Sequence, residues 1–118
     1  MTNEIYNHYL NREPPLYVGD YKALIRLGDG HRAYVNTKDK SIVPHLSMLG
    51  YFSPWVYSAI VRNIKEGDTV VDIGANIGYM TMAMASKTAS SGSVIAYEAS
   101  PYNFGLLKSN IEMICFIT

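Results

Sequence analysis

The stretch Gly67-Asp68-Thr69-Val70-Val71-Asp72-Ile73-Gly74-Ala75-Asn76-Ile77-Gly78 decides the fold. Gly67-Asp68 makes a turn, and residues 69–73 form a short β-branched run that is apolar on both faces. A central parallel strand has that character, because helices cover both sides of its sheet. A glycine-bounded turn follows, and a helix is expected from about residue 77 to residue 87. Beyond the small, polar Ser90-Ser91-Gly92 comes a second strand over residues 93–97, ending in Glu98. Ser100-Pro101 then opens another helix, a cap residue followed by proline at the first helical position. Phe104, Leu107, Ile111 and Ile114 are its expected apolar stripe. Strand, helix, strand, helix with short loops is the pattern of an open, doubly wound α/β sheet.

Upstream the pattern is less regular. Residues 2–13 are a candidate short helix that Pro14-Pro15 ends. Residues 21–27 and 31–36 read as a hairpin joined by Gly28-Asp29-Gly30, residues that tolerate positive φ. Residues 37–40 form a polar turn, and residues 41–49 are ambiguous because Pro44 disfavours a long helix. Ser53-Pro54 reads as a cap and first residue of a helix running to about Lys65, with Trp55, Ala59, Ile60 and Ile64 on one face. There is no internal repeat. The chain is expected to divide into an N-terminal helix and hairpin region, residues 1–52, and a separate α/β region, residues 53–118.

Composition narrows the partners. Ten Lys and Arg balance ten Asp and Glu in 118 residues. That neutrality argues against a nucleic-acid partner, since neutralising many phosphates needs an excess of cations. The only cysteine, Cys115, allows no intrachain disulfide and no cysteine metal cluster, so no metal site is expected. Residues 1–12 lack the apolar core of a signal peptide. Residues 41–61 carry no Asp, Glu, Lys or Arg, but Pro44, His45, Gly50 and Pro54 interrupt them, so no membrane span is expected. A soluble cytoplasmic protein is the resulting expectation.

In an open α/β sheet, ligands bind beyond the carboxyl ends of the strands. Two acids stand there, Asp72 and Glu98, with the glycine turn beside the first. Gly74 lets the chain turn off the strand and a ligand approach the backbone. Gly78 permits close packing at the helix start, where free N–H groups are available. Glu98, twenty positions beyond Gly78, can accept hydrogen bonds from both hydroxyls of a ribose. A dinucleotide site has a glycine where Asn76 stands, making room for a pyrophosphate. Asp72 would repel such a phosphate and favour a cation. S-adenosylmethionine fits that preference, with a sulfonium, an amino group and a ribose but no phosphate. A nicotinamide-dependent oxidoreductase is the weaker alternative, and a P-loop is excluded because no Gly-Lys-Ser/Thr follows the turn.

Each residue also has a plainer role. Asp72 could cap its own turn, Asn76 could simply hold a left-handed conformation, and Glu98 could be a solvated strand end. The histidines His8, His31 and His45 are isolated, so surface or packing roles are expected for them. Tyr17, Tyr21, Tyr34, Tyr51 and Tyr57 either line an acceptor pocket or cover a sheet edge. Met80, Met82 and Met84 read as core.

The run from Gly67 to Tyr79 resembles the first motif of the FkbM-type methyltransferases, which are Rossmann-like and S-adenosylmethionine-dependent. The likeness continues through Gly92-Ser93-Val94-Ile95-Ala96-Tyr97-Glu98 and Asn103-Phe104-Gly105-Leu106-Leu107-Lys108-Ser109-Asn110-Ile111, and reaches back to Gly50-Tyr51-Phe52-Ser53-Pro54-Trp55. Ser53 stands where that family commonly has Glu, and Ala99 where it commonly has proline. The resemblance implies a class I methyltransferase domain beginning near residue 53. It implies that the loop from Asp72 to Gly78 wraps the methionine part of the cofactor and that Glu98 holds the ribose. Asp72, Gly74, Ala75, Asn76, Gly78, Glu98 and Ala99 are therefore the candidate cofactor-binding residues. It further implies O-methylation of a small-molecule or glycan hydroxyl, with no catalytic base assigned. Only two strands of the sheet precede the end at Phe116-Ile117-Thr118, so an incomplete domain is expected. A non-catalytic nucleoside-binding remnant is the reading from a different class.

Overall fold

The computed structural model describes residues 12–115. The helix expected over residues 2–13 lies outside them, apart from Arg12 and Glu13, which are not helical. The chain divides between Phe52 and Ser53 into two compact units.

In the first unit, β1 (Leu16–Gly19), β2 (Lys22–Arg26) and β3 (Arg32–Asn36) form an antiparallel sheet in that order, followed by α1 (Ile42–Leu49). Strands β2 and β3 pair Ala23 with Val35 and Ile25 with Ala33. Period-2 alternation places all four on one face, where they are buried together with Leu27, Val43 and Leu46. Strand β1 has no such signature, since Leu16, Tyr17 and Val18 are all exposed. Backbone pairing to β2 holds it there. The Asp20-Tyr21 turn between them takes φ of 53° and 56°, the left-handed pair that a tight hairpin needs, without a glycine.

Pro44 does not prevent α1. It stands in the first turn, where no intrahelical N–H bond is lost. The cap is Asp39, whose Oδ1 accepts from the N–H groups of Ser41 at 2.7 Å and Ile42 at 2.8 Å. At the other end Gly50, with φ 80°, donates its N–H to the Leu46 carbonyl at 2.9 Å. The Arg12 guanidinium donates to the Leu46 carbonyl at 3.1 Å, a cation placed at the negative end of the helix.

The second unit runs α2 (Pro54–Asn63), β4 (Thr69–Ile73), α3 (Tyr79–Thr88), β5 (Ser93–Tyr97) and α4 (Pro101–Cys115). Strands β4 and β5 are parallel and in register from Thr69↔Ser93 to Ile73↔Tyr97. Helix α3 packs on both strands, and α2 and α4 pack on α3. The result is a mixed α/β unit with a two-stranded sheet. One expectation changes: the strands are apolar on both faces, but only one face is covered among the described residues. Val70, Asp72, Val94 and Ala96 are half-buried, whereas Val71, Ile95 and Tyr97 are exposed and Ile73 is 82% exposed.

Three local expectations also need correction. Ser53 does not cap α2 with its hydroxyl; it sits at φ 51°, and the helix stops at Asn63. The intended core face of α2 is not buried, with Trp55 74% exposed. In α4 the buried face is Leu106, Leu107 and Asn110, while Phe104 is exposed. The helix is turned so that polar Asn110, which an apolar stripe leaves out, faces inward.

Burial raises the Asp39 carboxyl, but hydrogen bonds from the Ser41, Ile42 and Val43 backbones and the Ser41 side chain together hold it below its ordinary value. A carboxyl depressed in the folded state stabilises above its ordinary value and loses that contribution as pH falls through the folded one. Asp39→Ala should cost about 1 kcal/mol in urea denaturation at neutral pH. The difference from wild type should vanish in acid; a difference that persists there would contradict the capping role.

Candidate functional site

The register of β4 and β5 brings their carboxyl ends side by side, so Asp72 and Glu98 lie at one edge of the sheet. Between β4 and α3 the chain must reverse within five residues. It does so through three left-handed residues, Gly74 (φ 77°), Asn76 (φ 56°) and Gly78 (φ 94°). Asn76 is the one that carries a side chain there, and asparagine tolerates this conformation better than most residues.

The loop is held from several sides. The N–H groups of Gly74 and Ala75 both donate to the Tyr97 carbonyl, each at 2.9 Å. The Asn76 N–H donates to Glu98 Oε2 at 2.5 Å, and the Ser100 N–H donates to Glu98 Oε1 at 3.0 Å. Asn110, fully buried on α4, donates its side-chain amide to the Ile77 carbonyl at 2.8 Å. In the first turn of α3, the Thr81 hydroxyl donates to Asp72 Oδ2 at 2.5 Å.

The two glycines that bound the turn face different surroundings. A Cβ on Gly78 would come within 2.7 Å of Leu107 Cδ1, the movable end of a side chain on α4, and its φ of 94° is a conformation that favours glycine. A Cβ on Gly74 would meet nothing within 4 Å, so that side of the backbone is open to a ligand. Ala75 is buried, Asp72, Asn76 and Glu98 are half-buried, and Ala99 is exposed.

These seven residues, singled out in the sequence, thus gather at one sheet edge. Thr81, Ser100 and Asn110 were not singled out. Thr81 and Asn110 act through hydrogen bonds across 9 and 33 positions, which no local pattern carries, whereas the Ser100 bond to Glu98 spans only 2. The histidines do not join the site. His31 pairs with Asp29 at 3.0 Å in the first unit, His45 stacks at a tilt against Phe52, and His8 lies outside the described residues. Residues 53–118 contain no histidine at all. Of the five tyrosines, Tyr17, Tyr21, Tyr34 and Tyr51 belong to the first unit, and Tyr57 stacks on Tyr79 with ring centres 5.7 Å apart. Among the described residues no group of histidine, cysteine and acidic side chains could hold a metal ion, and no helix is long and apolar enough to cross a membrane.

The arrangement suits S-adenosylmethionine. Two carboxylates with spare acceptor capacity face the chemistry of an ammonium and a ribose, and open space lies beside Gly74. Together the α/β fold and this loop define a domain of the S-adenosylmethionine-dependent methyltransferase class. Residues 51–115 match the TRM5/TYW2 methyltransferase domain, and the chain belongs to that family. Two solved Pyrococcus horikoshii structures are similar. One is described as a transferase, at 25% identity and TM-score 0.57, covering 81% of this chain and 33% of that one. The other is TYW2 in complex with MeSAdo, at 25% identity and TM-score 0.56 with the same coverage. The chain therefore spans about a third of the length of the solved structures it matches. No curated protein matches.

Two expectations are corrected by the family. The class stands, but the family matched is TRM5/TYW2, not FkbM. A glycine turn and an acidic strand end, the residues that carried the FkbM likeness, do not separate the two families. The exclusion of nucleic acid, with a small-molecule or glycan acceptor, is overturned, because the TRM5/TYW2 family acts on tRNA. A neutral sum over the chain does not exclude a nucleic-acid partner, because phosphate contacts depend on local cations.

Replacing Thr81 by Val keeps the side-chain shape and leaves Asp72 Oδ2 without its donor. Affinity for S-adenosylhomocysteine should fall roughly tenfold, about 1.4 kcal/mol, in calorimetric titration. Thr81→Ser should restore it. Unchanged affinity in the Val variant would show that Asp72 needs no such support.

Proposed function

We propose that the protein carrying this chain is an S-adenosylmethionine-dependent methyltransferase acting on tRNA. Residues 53–118 carry the cofactor-binding part, and residues 1–52 form a distinct N-terminal region. Membership of residues 51–115 in the TRM5/TYW2 family carries this reading. The loop pinned between Tyr97, Glu98 and Asn110 supports it from the chain itself.

When bound, S-adenosylmethionine supplies a methyl group made electrophilic by its sulfonium. Asp72, its Oδ2 already engaged by Thr81, offers negative charge to the amino group. Glu98 accepts from the ribose hydroxyls, and Gly74 gives close access to the backbone. Ala75, Asn76, Gly78 and Ala99 shape the rest of the cradle. A loop fixed beforehand avoids ordering cost when the cofactor arrives, and holding donor and acceptor aligned supplies up to about 7–11 kcal/mol in ideal cases.

The test is transfer of labelled methyl from S-adenosylmethionine by the protein that carries this chain, offered unfractionated tRNA beside a panel of small hydroxyl compounds. Label should enter the RNA fraction and be released by ribonuclease. Label confined to the small compounds would overturn the tRNA reading.

A further inference from the structure

We propose that Glu98 is a positioning residue that sets the glycine loop in its receptive conformation before any cofactor arrives. This extends the cofactor reading above and rests on it only where ribose is concerned.

Glu98 is the side chain that ties the glycine turn to the segment leading from β5 into α4. Its Oε2 accepts from the Asn76 N–H at 2.5 Å, and its Oε1 from the Ser100 N–H at 3.0 Å. The first bond reaches back 22 positions to the middle of the turn, and the second fixes the entry to α4. Asn76 is also the one residue of the turn that carries a side chain in the left-handed region, at φ 56°. A charged acceptor at its amide is the strongest local means of holding that conformation. Elsewhere the loop is tied by uncharged groups: Gly74 and Ala75 to the Tyr97 carbonyl, and Ile77 through Asn110.

The two bonds do not compete with ribose. An ionised carboxylate has about four acceptor positions, of which the two amides take two. Two remain, as many as a ribose diol needs. The same carboxylate can thus keep the loop in place and receive the cofactor without letting go. A residue that bound ribose alone would have no reason to engage both amides in the free protein.

Hydrogen exchange in the ligand-free, intact protein tests this. In wild type the Asn76 and Ser100 amides should be protected. In Glu98→Gln, where a side-chain NH2 replaces one accepting oxygen and faces a backbone N–H, exchange of at least one of these amides should rise about tenfold or more. The Gly74 and Ala75 amides should change little. If the Gln variant does not fold by circular dichroism, Glu98→Asp, with its shorter reach, is read in the same way. Affinity gives the second arm. Glu98→Gln should weaken both S-adenosylhomocysteine and its 2′,3′-dideoxy analogue, whereas a pure ribose contact would weaken only the parent compound. Unprotected amides in wild type, unchanged exchange in the variant, or undiminished affinity for the dideoxy analogue would overturn the proposal. Failure of wild type to bind S-adenosylhomocysteine would instead remove the cofactor reading, leaving the exchange result to stand by itself.

Discussion

The Tyr97 carbonyl accepts two backbone N–H groups, from Gly74 and Ala75, at 2.9 Å each. Much of the site follows from that one acceptor. Parallel register puts Tyr97 opposite Ile73, so the chain leaving β4 folds across the end of β5 as it turns toward α3. Gly74 can do this at φ 77° without strain. Once the first two loop residues are tied, Asn76 comes to lie against Glu98, and Ile77 against Asn110. Strand register thus brings the two acids to one edge, and backbone bonds at the strand end lay the turn against Glu98.

A second layer of polar contacts stands behind the acids. Thr81 and Asn110 are almost wholly buried, and each gives its hydrogen bond to the loop or to an acid beside it. Buried polar groups are costly unless paired, so such contacts rigidify whatever they join. Here Thr81 joins α3 to β4, and Asn110 joins α4 to the five-residue turn. Fixing the loop in the free state lowers the ordering cost of ligand binding, which is the advantage of preorganisation.

The sequence made the second unit legible because its signals are local. A β-branched strand, a glycine turn and a Ser-Pro helix start each lie within a few residues, and the structure places β4, β5 and α4 where those signals stand. Legibility failed where the cause is distant or lies in the backbone. Strand β1 carries no alternation because all its large side chains are exposed, and Asp20-Tyr21 turns without a glycine. Helix α1 forms despite Pro44 because Asp39, outside the helix, satisfies its first N–H groups. The buried face of α4 was misread by leaving out Asn110, whose partner is 33 positions away. Acceptor identity was illegible for another reason: residues suited to a cofactor are indifferent to what receives the methyl group. Two carboxylates and a glycine turn report the donor, and only the family match brought in tRNA.

Amide chemical-shift mapping with S-adenosylhomocysteine tests most directly whether this strand end is the cofactor site. The expected result is a set of shifts at residues 72–78 and 98–100, with the β2–β3 hairpin unmoved and no comparable set produced by NAD. Saturating ligand that leaves those amides unshifted, or shifts confined to residues 16–50, would contradict it.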